Sequence, residues 1–305
     1  MFELLYFIGV STHGSSIMEL FPRWADLLGL DAGIVGKDIP LKARPEDFRA
    51  AVKDIAERPD VRGGLVTTHK IDVFNHASDL FAEIDAYARI CGEVSCISKR
   101  DGSLFAHAKD PITSGLTLND MIGQDYWASH DGHVLCMGAG GAGVAIVLHL
   151  LQLEHSPPRI VLTDVDLTRI DAAKRAHGKI ASATEVAYLR IGDPAEHDEL
   201  VSSLPPASLV INATGMGKDR PGSPITDGTD FPAYAVLWDL NYRGELDFLR
   251  QARSHEQGKA LRIHDGWRYF LHGWTEVISE VFELDIDQMR FAALAAAAEG
   301  MRSTS

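Results

Sequence analysis

The stretch that decides the fold runs Val134-Leu135-Cys136-Met137, then Gly138-Ala139-Gly140-Gly141-Ala142-Gly143, then Val144-Ala145-Ile146-Val147-Leu148-His149-Leu150-Leu151. A short apolar run, a glycine turn and a longer apolar run read as strand, loop and helix. That order builds an anion site, because glycines let the backbone approach a pyrophosphate and the helix start offers unpaired N–H groups and a partial positive charge. A second apolar strand, Ile160-Val161-Leu162-Thr163, ends at Asp164, about twenty residues after the last glycine, where a carboxylate accepts hydrogen bonds from adenosine ribose hydroxyls. The competing role for Asp164 is a cap on the next helix. Val165 and Asp166 follow with no arginine ready for a 2′-phosphate, and two carboxylates repel one. The expected cofactor is therefore NAD, with NADP less favoured, held by Gly138, Ala139, Gly140, Gly141, Ala142, Gly143 and Asp164.

The remaining composition bounds the setting. A chain of 305 residues is long enough for two domains, and 46% apolar with 24% charged residues is a globular composition without repeats or low-complexity segments. A formal charge of −14 argues against a nucleic-acid backbone or an anionic membrane as partner. No apolar segment approaches the length of a membrane span, and no charged start or cleavage site of a signal peptide is present, so a cytoplasmic setting is expected. Cys91, Cys96 and Cys136 lack metal-ligand spacing and read as reduced thiols; no metal is expected. A ragged tail is expected over 302–305.

Ahead of the glycine loop, strands are expected over 4–9, 33–36 and 64–67, and helices over 17–28, 45–57 and 71–88. Strands over 93–98 and 104–107 pair as a hairpin about Asp101-Gly102. A helix over 110–121 leaves this α/β unit, and 123–132 is a polar connection. Beyond Asp164 follow a helix over 168–176, strands over 209–212 and 236–240, and helices over 267–282 and 286–298, the last crossing back to the first unit. The fold class is thus α/β with two domains: an N-terminal substrate-binding and catalytic domain over 1–113, completed by about 283–305, and a Rossmann-type dinucleotide domain over 114–282. The cleft is expected between them, outside the carboxyl ends of the strands.

Two side chains stand out as proton handlers. Lys70 follows the strand Gly64-Leu65-Val66-Thr67 at the rim of the expected cleft, where partial desolvation favours the neutral amine that takes a proton; the bland role is a solvated helix-start lysine. Asp110 opens the linking helix as an N-cap, and it is also a second hydrogen-bonding partner for the hydroxyl that Lys70 addresses. His13, His69 and His107 flank the same region and are candidates for substrate contact, while Tyr242 and Trp274 suit pocket walls.

In order and spacing, these features resemble the shikimate/quinate dehydrogenase family over nearly the whole chain. The resemblance is carried by Gly9 with His13-Gly14-Ser15-Ser16, Val66-Thr67-Thr68-His69-Lys70, Asp110 followed by Gly115, and the glycine loop. Farther on it includes Ile211-Asn212-Ala213-Thr214-Gly215-Met216, Asp239-Leu240-Asn241-Tyr242 and Asp265-Gly266. It implies Lys70 and Asp110 as the catalytic pair, and Asn212, Ala213, Thr214, Gly215, Met216 and Leu240 at the ribose and nicotinamide. Ser16, Thr67, Ser95, Tyr242 and His13 are the expected substrate contacts.

The departures cluster on substrate binding. The first of two opening-loop serines is Gly14, the asparagine before Val-Thr is replaced by Gly64-Leu65, and the Val-Asn-Thr turn is Val94-Ser95-Cys96. The C-terminal helix has Gly273 in place of glutamine, Ala108-Lys109 replaces Asn-Thr, and the proline before the histidine is Thr68. Each lost amide leaves a substrate hydroxyl unpaired at about 1–3 kcal/mol. The expectation is an NAD-dependent dehydrogenase of a secondary alcohol on a small polyhydroxylated carboxylate other than shikimate, acting as a monomer or homodimer on a hydroxy acid or polyol. Two rival readings stand beside it: a dehydrogenase of an amino-substituted or acyclic analogue, and a non-catalytic metabolite sensor on the same scaffold.

Overall fold

The computed structural model describes residues 2–218 and 220–301, and these divide into two compact units, 2–109 with 271–301, and 110–270. The tail over 302–305 lies outside the described residues.

The first unit is built on six strands, β1 (Glu3–Gly9), β2 (Ala32–Asp38), β3 (Val61–Val66), β4 (Glu83–Ile84), β5 (Cys96–Arg100) and β6 (Ser103–His107), in the order β2-β1-β3-β5-β6-β4. β1 is parallel to both neighbours, whereas β5 is antiparallel to β3 and β6. Side chains alternate across β1. Tyr6 and Ile8 join a core with Phe48, Val52 and Ile55 of helix Pro45–Glu57. On helix Trp267–Phe282, Trp274 packs edge-on to the Phe7 ring at 5.0 Å. The β5–β6 hairpin turns through Asp101 and Gly102, both with positive φ (49° and 77°), as the twist of a tight hairpin requires.

Two expectations in this unit need correction. The helix over 71–88 is broken into helix Lys70–Ala77, a 3-10 turn Ser78–Leu80, β4 and helix Ala86–Cys91. Tertiary hydrogen bonds outcompete helical ones there: Ala82 N donates to Leu104 O at 2.8 Å, Asp85 N to Ala106 O at 2.9 Å, and the Asp85 carboxylate caps the new helix at Ala88 N. The first unit also takes up the chain at Leu271, ahead of the expected 283, because Trp274 and Phe282 pack on Phe7 and Phe21.

The second unit carries an all-parallel sheet of β7 (Val134–Met137), β8 (Arg159–Asp164), β9 (Glu185–Arg190), β10 (Leu209–Asn212), β11 (Val236–Asp239) and β12 (Arg262–His264), ordered β12-β11-β10-β7-β8-β9. This is the Rossmann-type order, and strand direction of travel reverses between β7 and β10, where such sheets bind ligands. Helix Gly141–Leu151 is buried along most of its length, which explains its apolar character on every face. β9 and β12, not among the expected strands, are both edge strands whose mixed polarity leaves no clear period-2 pattern. The polar connection over 123–132 contains a short helix, Tyr126–Ser129. Among the described residues no helix is long and apolar enough to cross a membrane.

Candidate functional site

In the second unit the glycine loop is held by close approach rather than by side chains. Gly138 has φ 109°, and a Cβ there would lie 2.5 Å from Ala213 O; a Cβ on Gly143 would lie 1.9 Å from Gly138 O. Gly140, by contrast, has open space around its missing Cβ and precedes the first residue of helix Gly141–Leu151, with no side chain capping the helix start. A backbone thus folded on itself, with an uncapped helix N-terminus and an open glycine face, fits a pyrophosphate.

Asp164 closes the loop from β8. Its Oδ2 accepts from Ala139 N at 2.8 Å and its Oδ1 from Asp166 N at 2.9 Å, and the residue is buried. The helix cap is Asp166, which accepts from Thr168 N, so Asp164 is not spent on capping. The expected lack of an arginine here needs correction. Arg169 Nη1 lies 3.9 Å from Asp164 Oδ2, and Arg190 stands opposite Asp164 in the β8–β9 register, its Nε donating to Val165 O at 3.1 Å. Helix periodicity brings in Arg169, and the unrecognised β9 brings in Arg190.

Next to the loop, the turn after β10 is organised by Asn212. Its Oδ1 accepts from Thr214 N and Thr214 Oγ1, and its Nδ2 donates to Met216 O and to Asp239 Oδ1. Ala213 N donates to Met137 O at 2.7 Å, which fixes Ala213, Thr214, Gly215 and Met216 beside Gly138. Leu240 N donates to Asn212 O at 3.0 Å, and Gly266 is required because its Cβ would lie 1.9 Å from Leu240 O. Tyr242 packs against Trp267 and Phe270 at 5.1 and 5.0 Å. Gly115 permits the helix that Asp110 begins, Asp110–Ile122, to cross helix Gly141–Leu151 against the ring of His149, whose charged form burial disfavours.

Asp239 is fully buried between Asn212 and Asn241, and its Oδ2 has no hydrogen-bond partner. Burial lifts its carboxyl from 3.8 to about 7, against the hydrogen bonds from Asn241 and Asn212. Below the unfolded value both states are protonated. Between the two values the unfolded chain ionises while the folded one keeps its proton, so stability falls as pH rises to about 7 and is level above it. We expect the unfolding free energy of Asp239→Asn to gain on the wild type by on the order of 2–4 kcal/mol between pH 4 and pH 8. Urea unfolding at the two pH values checks this, and an unchanged difference refutes it.

In the first unit, main-chain bonds tie three chain segments around Lys70. Lys70 is the first residue of helix Lys70–Ala77, and its carbonyl accepts from Val94 N at 3.0 Å. Ser95 N donates to His107 O, and Ser95 Oγ accepts from Lys109 N at 2.7 Å, one residue before Asp110. Thr67 N donates to Ile8 O, and Thr67 touches the opening loop, since a Cβ on Gly9 would lie 2.8 Å from Thr67 Cγ2. His69 is a structural group: it is 1% exposed, bonds Ile39 O at 2.7 Å and packs on Phe48. His107 faces Ser98, Asp85 and Glu280, whereas His13 is exposed and Ser16 sits at the start of helix Ile17–Leu28 without capping it. Thr12, absent from the sequence-derived candidates, donates through both N and Oγ1 to Asp38 Oδ1 at 2.8 and 2.7 Å and locks the opening loop, holding the Asp38 carboxyl below its usual range. Its partner lies across the sheet, so no local signal marks it. Burial pushes the Cys136 thiol up to about 12 and the Cys96 thiol up as well. Among the described residues no group of three or more His, Cys, Asp or Glu side chains converges as a metal site.

No protein-family model matches the chain. It is 29% identical over 282 residues to the shikimate dehydrogenase (NADP(+)) of Symbiobacterium thermophilum, covering 88% of this chain and 85% of that one. Among solved structures it is similar to shikimate 5-dehydrogenase from Listeria monocytogenes in complex with shikimate and NAD, with TM-score 0.75, 15% identity and coverage of 98% and 96%. It is also similar to 5-ketofructose reductase of Gluconobacter sp. strain CHM43, with TM-score 0.72, 18% identity and coverage of 98% of each chain.

Proposed function

The chain is shikimate dehydrogenase-like, and from that premise we propose a nicotinamide-dependent oxidoreductase that interconverts a secondary alcohol and a ketone on a small polyhydroxylated molecule other than shikimate. The observation that carries this reading is the glycine cradle at Gly138–Gly143, closed by Asp164 and bordered by the Asn212 turn. A bound nicotinamide supplies the hydride acceptor for oxidation and, reduced, the donor for the reverse direction. Lys70 takes the hydroxyl proton as the carbinol becomes a ketone and returns it on reduction. Asp110 hydrogen-bonds the same hydroxyl and favours the charged lysine. Thr67, Ser16, His13 and Tyr242 contact the substrate, and Ser95 acts by holding the Lys109 peptide. The replaced amides at Gly64, Ser95 and Gly273 support a substrate other than shikimate.

NAD is the proposed cofactor: the Asp164 and Asp166 carboxylates lie together at the end of β8 beside the glycine loop, and their charge would oppose a 2′-phosphate bound there. A second reading, NADP, rests on Arg169 and Arg190 at the same strand end and on the NADP(+) in the relative's name. Asp166→Asn, whose amide oxygen can still accept from Thr168 N while the charge is removed, is expected to lower the ratio of kcat/KM for NAD over NADP by about threefold to tenfold, the worth of one partly screened charge pair. A wild type that prefers NADP rejects the NAD reading. The function itself is tested by following reduced-cofactor formation from a panel of polyols and hydroxy acids. Turnover of one of them with a value dependent on Lys70 supports it. Ligand-induced stabilisation without turnover anywhere on the panel overturns it in favour of a sensor.

A further inference from the structure

An ion cluster in the first unit is left unexplained by the chemistry above. Lys109 Nζ lies 2.7 Å from Glu280 Oε2, with the two side chains only 11% and 15% exposed. Glu280 Oε1 pairs with Arg100, accepts from Ser98 Oγ at 3.4 Å and faces His107 Nε2 at 3.3 Å. Glu280 is therefore saturated, and both Arg100 and Lys109 are engaged with it. Glu276 stands one helical turn earlier on helix Trp267–Phe282, on the same face at i, i+4, with Gly273 a further turn back. Among the described residues no donor reaches the Glu276 carboxylate. Burial raises its carboxyl above the usual range, the Lys109 charge opposing this and the Glu280 charge adding to it.

Like charges four residues apart on a half-buried helix face cost stability. An unbonded carboxylate kept there at such a cost is the pattern of a group awaiting a ligand. The cluster is also chained to the proposed catalytic lysine, because Lys109 N donates to Ser95 Oγ and Val94 N donates to Lys70 O. We propose that Glu276, backed by Lys109, is a specificity-determining subsite that binds hydroxyls of a polyol lacking a carboxylate and rejects hydroxy acids. Substrate hydroxyls donate charge-assisted hydrogen bonds to Glu276, and Lys109 offers its remaining N–H bonds to neighbouring oxygens. A substrate carboxylate would add a third negative charge beside Glu276 and Glu280, whose cations are already paired. This departs from the carboxylate expected in the sequence reading, and it rests on the first unit being the substrate-binding one.

Calorimetric binding to the full-length protein tests it, with myo-inositol and fructose as uncharged probes and quinate and shikimate as carboxylates. The wild type is expected to bind an uncharged polyol at least tenfold more tightly than either acid. Glu276→Gln narrows that ratio at least tenfold, and in turnover the change falls mainly on KM rather than kcat. Tighter binding of quinate or shikimate, binding of none of the four, or a ratio unmoved in Glu276→Gln overturns the subsite. Should Glu276→Gln fail to fold, Glu276→Asp takes its place, weakening polyol binding without admitting the acids. Binding requires no turnover, so selectivity without oxidation faults the dehydrogenase reading alone. Lys70-dependent oxidation of a hydroxy acid in preference to a polyol faults the subsite alone.

Discussion

Lys70→Ala is expected to lower kcat by about 10²–10⁴-fold, the usual worth of a positioned proton acceptor, while dinucleotide affinity stays within about twofold. The helix that Lys70 begins is held by contacts independent of its side chain: Lys70 O accepts from Val94 N at 3.0 Å, and His69 is anchored on Ile39 O at 2.7 Å. Truncating the amine therefore leaves the backbone in place. The hydrogen bonds that shape the glycine cradle run among Ala139, Asp164, Asn212, Thr214 and Met137, none of them on the unit that carries Lys70. Steady-state rates with the best polyol of the panel, set against titration of reduced cofactor by fluorescence, separate the two effects. Unchanged turnover would remove Lys70 from the chemistry, and parallel loss of cofactor affinity would assign it a binding role.

Gly143→Ala is expected to abolish measurable dinucleotide binding, a loss of about a hundredfold or more, and to lower the thermal midpoint. The new Cβ would stand 1.9 Å from Gly138 O, and its neighbour is backbone that cannot rotate away. Either the loop opens, losing the Gly138 N bond to Thr163 O, or helix Gly141–Leu151 is displaced, at a cost of about 1–3 kcal/mol or more. Gly140→Ala is the informative companion. Gly140 has φ −75° and nothing within 4 Å of its missing Cβ, so alanine fits the protein and meets only the ligand. It should keep the wild-type midpoint and still weaken the cofactor. Equal midpoints for Gly143→Ala and wild type would show that the loop has slack that the geometry denies.

The glycine cradle was legible because its determinants are local: an apolar strand, glycines at fixed offsets and an apolar helix lie within one short stretch. The carboxylate at Asp164 was legible for the same reason, being the last residue of the next strand. What lay beyond reach were contacts between segments far apart in the chain. Arg190 comes beside Asp164 only through the register of β9, an edge strand whose weak alternation hides it. Thr12 meets Asp38 across β1 and β2, and the helix expected over 71–88 gives way because Leu104 and Ala106 offer better hydrogen bonds than its own turns do.

For this protein the amino-acid order by itself determined the alternation of strand and helix, the strand–glycine loop–helix unit and the candidate proton handlers, since strand and helix periodicity and glycine geometry act over a few residues. Tertiary structure alone decided the charge environment. Lys109 and Glu280 are separated by 171 positions, yet they pair at 2.7 Å, and that pair lies beside the Glu276 carboxylate. A Coulomb interaction depends on distance in space and on burial, and neither is written in sequence separation.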